Sequence, residues 1–126
     1  MNAWDVLADA LEADGAMDDV NVYRTATADF VPPAVVIRPG TPWLESAGSP
    51  YPTDLERYVA VAVVSASSPA DSMARLHRMV HTVADIARAE GFGFEEASEP
   101  VLDETNTPAL TSALTLTYSN CEPEES

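Results

Sequence analysis

The chain contains no lysine, and its only cysteine is Cys121. One cysteine builds neither a disulfide framework nor a zinc site, so stability has to come from an apolar core. Such cysteine usage suits a reducing cytosol. No apolar run approaches the length of a bilayer span, and the first residues lack the basic start and apolar core of a secretory signal. The expectation is a protein that stays where it is made unless a larger particle carries it out. The glycines form no phosphate-cradling loop, and there is no lysine to serve one. No serine occupies a nucleophile elbow. Positive charge is equally scarce. Six arginines face 21 acids, for a formal charge of −15. Such a surface repels duplex DNA and anionic lipid, which argues against groove reading and against a membrane role. Two uses of the acidity remain: solubility, or a wall past which DNA slides without adhering.

What is present fits one domain. A chain of 126 residues buries roughly two-thirds of its unfolded surface on folding. Leu55 to Glu90 is its organising stretch. Tyr58 to Val64 reads as a strand, with Val59, Val61 and Val63 on one side and Tyr58, Ala60, Ala62 and Val64 on the other. Neither side is polar, so both are expected to be covered, one by a helix and one by more protein or a partner subunit. Ser68, Pro69 and Asp71 then start a helix. Met73, Leu76, Val80, Val83 and Ala87 form its apolar stripe, widened by Met79 and Ile86, and Gly91 ends it.

Around this unit, Asn2 to Asp14 predicts a helix buried through Trp4, Leu7, Ala8 and Leu11. Val20–Arg24 and Ala34–Arg38 predict short strands, with Pro32 and Pro33 outside any central ladder. Pro39 to Asp54 carries four prolines and two glycines and reads as a long loop. Its Trp43, Leu44 and Tyr51 either fold back on the core or meet a partner. Gly91 to Glu96 reads as a turn anchored by phenylalanine, and Glu99–Asp103 as a short strand. Leu110, Ser112, Leu114, Leu116 and Tyr118 alternate with threonines and alanine in a closing strand. The expected fold is α+β, with a mostly antiparallel sheet of four to five strands and two helices packed on it, in the order α-β-β-β-α-β-β. Residues 1–119 form the domain, and 120–126 read as an acidic disordered tail.

Candidate chemistry is thin. His77 and His81 share a helix face with Asp85, but Arg78 stands where a metalloprotease helix would place its glutamate. An ion needs further ligands that nothing in the sequence nominates, so no metal or cofactor is expected; the plain alternative is a solvated helix face. Cys121 lies among Glu122, Glu124 and Glu125, which disfavours a thiolate. Neither a catalytic residue nor an enzymatic activity is expected. Arg24, Arg38 and Arg57 each sit in or beside a predicted strand, where an arginine can meet an acid of a neighbouring copy or simply face solvent.

An N-terminal helix, a strand ending in Tyr23-Arg24, a proline-rich excursion and the long strand from Arg57 to Val64 come first. A Ser-Pro-initiated helix and the Leu110–Tyr118 strand complete the series. In this order and character the chain, to about Asn120, resembles the tail terminator (tail completion) proteins of long-tailed bacteriophages, especially those of actinobacterial hosts. The resemblance implies a structural virion protein. Copies would form a ring, a hexamer in that family, which caps the tail tube, stops its growth and meets the head–tail connector proteins while DNA passes through the lumen. It places the protein at the head-proximal end of the tail after assembly in the host cytoplasm, with no membrane involved. The interface candidates are Trp43, Leu44, Tyr51, Arg24, Arg38 and Arg57. A head–tail connector subunit and an acidic DNA-mimic inhibitor are the alternatives.

Overall fold

The computed structural model describes residues 3–24, 31–46, 53–66, 69–103 and 108–121. Helix α1 (Ala3–Ala13) is followed by a 3-10 turn (Gly15–Met17), β1 (Asn21–Tyr23), β2 (Ala34–Ser46) and β3 (Thr53–Ser65). Helix α2 (Pro69–Ala89), β4 (Gly93–Ala97), β5 (Val101–Asp103) and β6 (Ala109–Cys121) complete the chain. The strands form one sheet in the order β1-β2-β3-β6-β4, with β5 also paired to β6. The class is α+β with two helices, as expected, but the sheet has six strands and is mixed.

β3 is central because it pairs along its whole length with β6 and on its other side with β2. Tyr58, Ala60, Ala62 and Val64 point to the helices and are fully buried. In register beside them lie Val35 and Ile37 of β2 and Leu114 and Leu116 of β6, also fully buried. Leu7 and Leu11 of α1 and Leu76, Met79, Val83 and Ala87 of α2 close this core from above. Ala60, Ala62 and Tyr58 share this core with α2.

Several expectations change. Met73 is 48% exposed, and Ser72 takes the stripe's first position. The Ser72 hydroxyl donates to the Ser65 carbonyl at 2.7 Å, so a satisfied polar group brings α2 down over the end of β3. The helix ends as its sequence predicts. Gly91 has φ of 94°, Phe92 N–H donates to the Ala87 carbonyl at 2.9 Å, and Gly91 N–H donates to the Arg88 carbonyl at 3.0 Å. The Ser68 cap lies outside the described residues.

The second change is that much of Pro39–Asp54 is strand. β2 pairs regularly with β3 to Pro39↔Tyr58, shifts register, and resumes at Leu44↔Glu56 through Ser46↔Asp54. Pro39, Gly40 and Pro42 fall in or beside that irregularity, where a missing donor costs the ladder little. Gly40 is needed there, since a Cβ would lie 2.9 Å from Arg57 Cγ and 3.0 Å from the Arg57 carbonyl carbon.

The third is that β1 runs parallel to β2, Asn21↔Ala34 through Tyr23↔Val36. Side chains bring the chain back alongside β1: Asn21 Nδ2 donates to the Val31 carbonyl at 2.9 Å, and Val31 N–H donates to the Tyr23 hydroxyl at 3.0 Å. The Gly91–Glu96 turn also proves to be partly strand, β4, antiparallel to β6 with a register shift between Phe94 and Glu96. β6 itself continues through Asn120 and Cys121, paired with Asp54 and Thr53.

Leu114→Ala should cost about 2–5 kcal/mol by opening a cavity between β3, β6 and α2, whereas Met73→Ala should stay within about 0.5 kcal/mol. Urea unfolding of the two variants measures the contrast.

Candidate functional site

The interface candidates do not gather at one place. Arg24, just past β1, reaches across to α1. Its guanidinium meets Asp5 at 3.2 Å, Asp9 at 2.5 Å and Glu12 at 2.9 Å. These acids stand three to four residues apart on the helix and present one row of carboxylates to one cation. Hydrogen bonds to Asp9 and then Glu12 hold the Arg24 pKa well above its ordinary value. Arg24 therefore ties α1 to the sheet edge within one copy.

Trp43 sits at the β2 irregularity, 45% exposed, with its ring edge-on to Trp4 at 6.4 Å. Trp4 meets Tyr58 at 5.9 Å, Tyr58 meets Phe92 at 6.3 Å, and Phe92 meets Tyr118 at 5.0 Å. Such tilted contacts are favourable aromatic geometry and link α1, β2, β3 and β6. Trp43 thus both folds back and keeps an exposed edge. Leu44 is a β2 residue opposite Glu56. Tyr51 lies outside the described residues. The Tyr58 hydroxyl donates to Glu56 Oε1. Burial, helped by that bond, pushes the Tyr58 phenol up from 10.0 to about 12.

The sheet face away from the helices carries a different chemistry. By register it presents Ala34, Val36 and Arg38 of β2, with Arg57, Val59, Val61 and Val63 of β3 beside them. Thr111, Ala113, Thr115 and Thr117 follow on β6. No described element lies over it. Ala34 and Val63 are buried by their neighbours, while Tyr23, Val59 and Val61 are half-buried. Val36 and Ala109 are buried there as well, so no valine of this face is exposed even though no described element lies over it. Acids enter this face at the β4 edge, where Glu96 pairs in register with Thr115 and Glu95 lies 3.7 Å from Arg57. Arg38 is exposed on it.

His77 and His81 are exposed on α2, with rings 4.5 Å apart. Among the described residues no group of three potential ligands forms. A cavity of about 270 Å³ opens between the 3-10 turn and α2, lined by Ala16, Met17, Asp19, Val20, Arg75, Arg78, Met79 and Thr82. Sequence reading passed over it, because Asp19 and Arg75 are distant in the chain and pair only through the fold, at 2.9 Å.

No protein-family model and no curated protein matches the chain.

Two outcomes check this geometry. In an alkaline titration of tyrosinate absorbance, one tyrosine should ionise near pH 12 in the folded protein, and Tyr58→Phe should remove that step. Because the folded-state pKa is raised, this group's stabilisation is complete below pH 10 and is lost as pH climbs from 10.0 to about 12. Arg24→Gln should lower the thermal midpoint, more at low salt than at high, since it leaves three neighbouring carboxylates without their cation.

Proposed function

We propose that the chain is a structural virion subunit, a tail terminator whose copies close into a ring on the tail tube of a long-tailed bacteriophage and join it to the head. The observation that carries this reading is the sheet face turned away from the helices, over which no described element lies. In a chain of charge −15, its centre holds valines, alanines, threonines and Arg38, with acids only at the β4 edge among the described side chains. Val59 and Val61 on it are half-buried and Arg38 is exposed, and contact with another subunit would bury them further. The opposite, helical face is acidic through Asp5, Asp9 and Glu12. A face that complements a different face, rather than itself, favours head-to-tail association, and head-to-tail contacts whose rotation closes generate rings. The element order that resembles the tail terminators supports the same reading, with five strands following the helix–strand start and the long α2 between β3 and β4. An acidic ring would let DNA pass with little adhesion. The partners on this reading are further copies, the tail tube protein and the head–tail connector proteins.

Light scattering and negative-stain microscopy at high concentration, with and without purified tail tubes, should find rings or tube-capping complexes. Arg38→Glu should weaken them about tenfold or more while leaving the circular dichroism spectrum unchanged, because Arg38 is exposed on that face. A protein that stays monomeric and leaves tube ends bare overturns the reading.

A further inference from the structure

Four of the six arginines find carboxylates inside the chain: Arg24 on α1, Arg57 with Glu95, Arg75 with Asp19, and Arg88 with Asp85. Arg38 and Arg78 meet none among the described residues, although acids outnumber arginines by 21 to 6. Arg78 also has a shaped setting. It stands on the wall of the cavity between the 3-10 turn and α2, beside Arg75 and Thr82. Ala16, Met17, Val20 and Met79 supply apolar lining. The acid of this cavity, Asp19, is already bound to Arg75 at 2.9 Å. At about 270 Å³ the space falls just below the ~300 Å³ at which small-molecule pockets usually begin, and suits an inserted side chain.

We propose that this cleft receives a carboxylate side chain from a second copy of the chain, with Arg78 as its counter-ion. A guanidinium fork matches a carboxylate in two parallel hydrogen bonds, and apolar walls strengthen such a pair by excluding water. Charge complementarity selects the occupant. Each copy offers a large excess of acids, and bringing two −15 surfaces together is repulsive unless cations of one copy meet acids of the other. A cation left unpaired in so acidic a chain is the group available for that. This inference rests on the assembly reading above and adds the residue through which copies touch.

The absence of lysine makes a direct test possible. Arg78→Lys keeps the positive charge and introduces the chain's only side-chain amine. A carbodiimide, applied to a mixture of isotopically heavy and light protein assembled alone or on tail tubes, should join that amine to a carboxylate of another copy. Mixed heavy–light peptides then identify the acid, while wild-type protein serves as the control for the terminal amine. Arg78→Glu should weaken assembly about tenfold or more at low salt relative to Arg78→Lys. Cross-links confined to one copy, or formed only with the tube protein or with DNA, overturn the inference and leave the assembly reading standing. So does assembly by Arg78→Glu at wild-type strength. Absence of any assembly or tube attachment by the wild-type protein overturns both.

Discussion

The burial of one row of β3 beneath the helices is the contact on which the rest depends. Tyr58, Ala60, Ala62 and Val64 are shut off from water by α1 and α2 above and by Leu114, Leu116, Val35 and Ile37 on either side. Because side chains alternate along a strand, sealing one row turns Val59, Val61 and Val63 to the opposite side. The core and the far face are therefore two sides of one decision. A strand apolar on both sides, with helices on one, leaves a second apolar row on the other. Register carries this outward: β2 and β6 copy the alternation of β3, so their threonines, valines and Arg38 join the same far face.

Electrostatics are organised around scarcity. With six cations against 21 acids, each arginine has a large local effect, and three of them, Arg24, Arg57 and Arg75, pair with acids of another element. Arg24 offsets the mutual repulsion of Asp5, Asp9 and Glu12 and joins α1 to the end of β1. Arg75 joins α2 to the segment after the 3-10 turn through Asp19. These pairs are exposed and individually weak. The apolar core supplies most of the stability, and the arginines help set where its outer parts rest.

Much of the fold was legible because periodicity is local. α1, α2, β3 and β6 each show a clear apolar pattern over seven or more residues, and each stands where that pattern places it, with β3 and β6 running further. The misses have local causes too. Pro39, Gly40 and Pro42 spell a loop, yet they cluster at one irregularity, after which β2 rejoins β3. Gly91 and Gly93 spell a turn, yet only Gly91 needs a left-handed backbone. Gly93 is a strand residue whose Cβ would lie 2.7 Å from Thr117 Oγ1, so the glycine serves close strand approach. The direction of β1 depends on Asn21 and Tyr23 reaching Val31, bonds that no propensity encodes. The candidate site was legible in kind but not in pairing. Arginines beside strands stood out from sequence, whereas the partners of Arg24 and the isolation of Arg78 emerge only when distant residues are brought together.

The meeting of Trp4 and Trp43 has a practical consequence. These are the chain's two tryptophans, and their rings lie 6.4 Å apart. Indole fluorescence of this protein therefore watches a single spot, the seam between the first helix and the middle of the β2–β3 hairpin. A melting curve followed by emission would record that seam opening, and its agreement with the loss of helical signal would reveal whether hairpin and helices let go together.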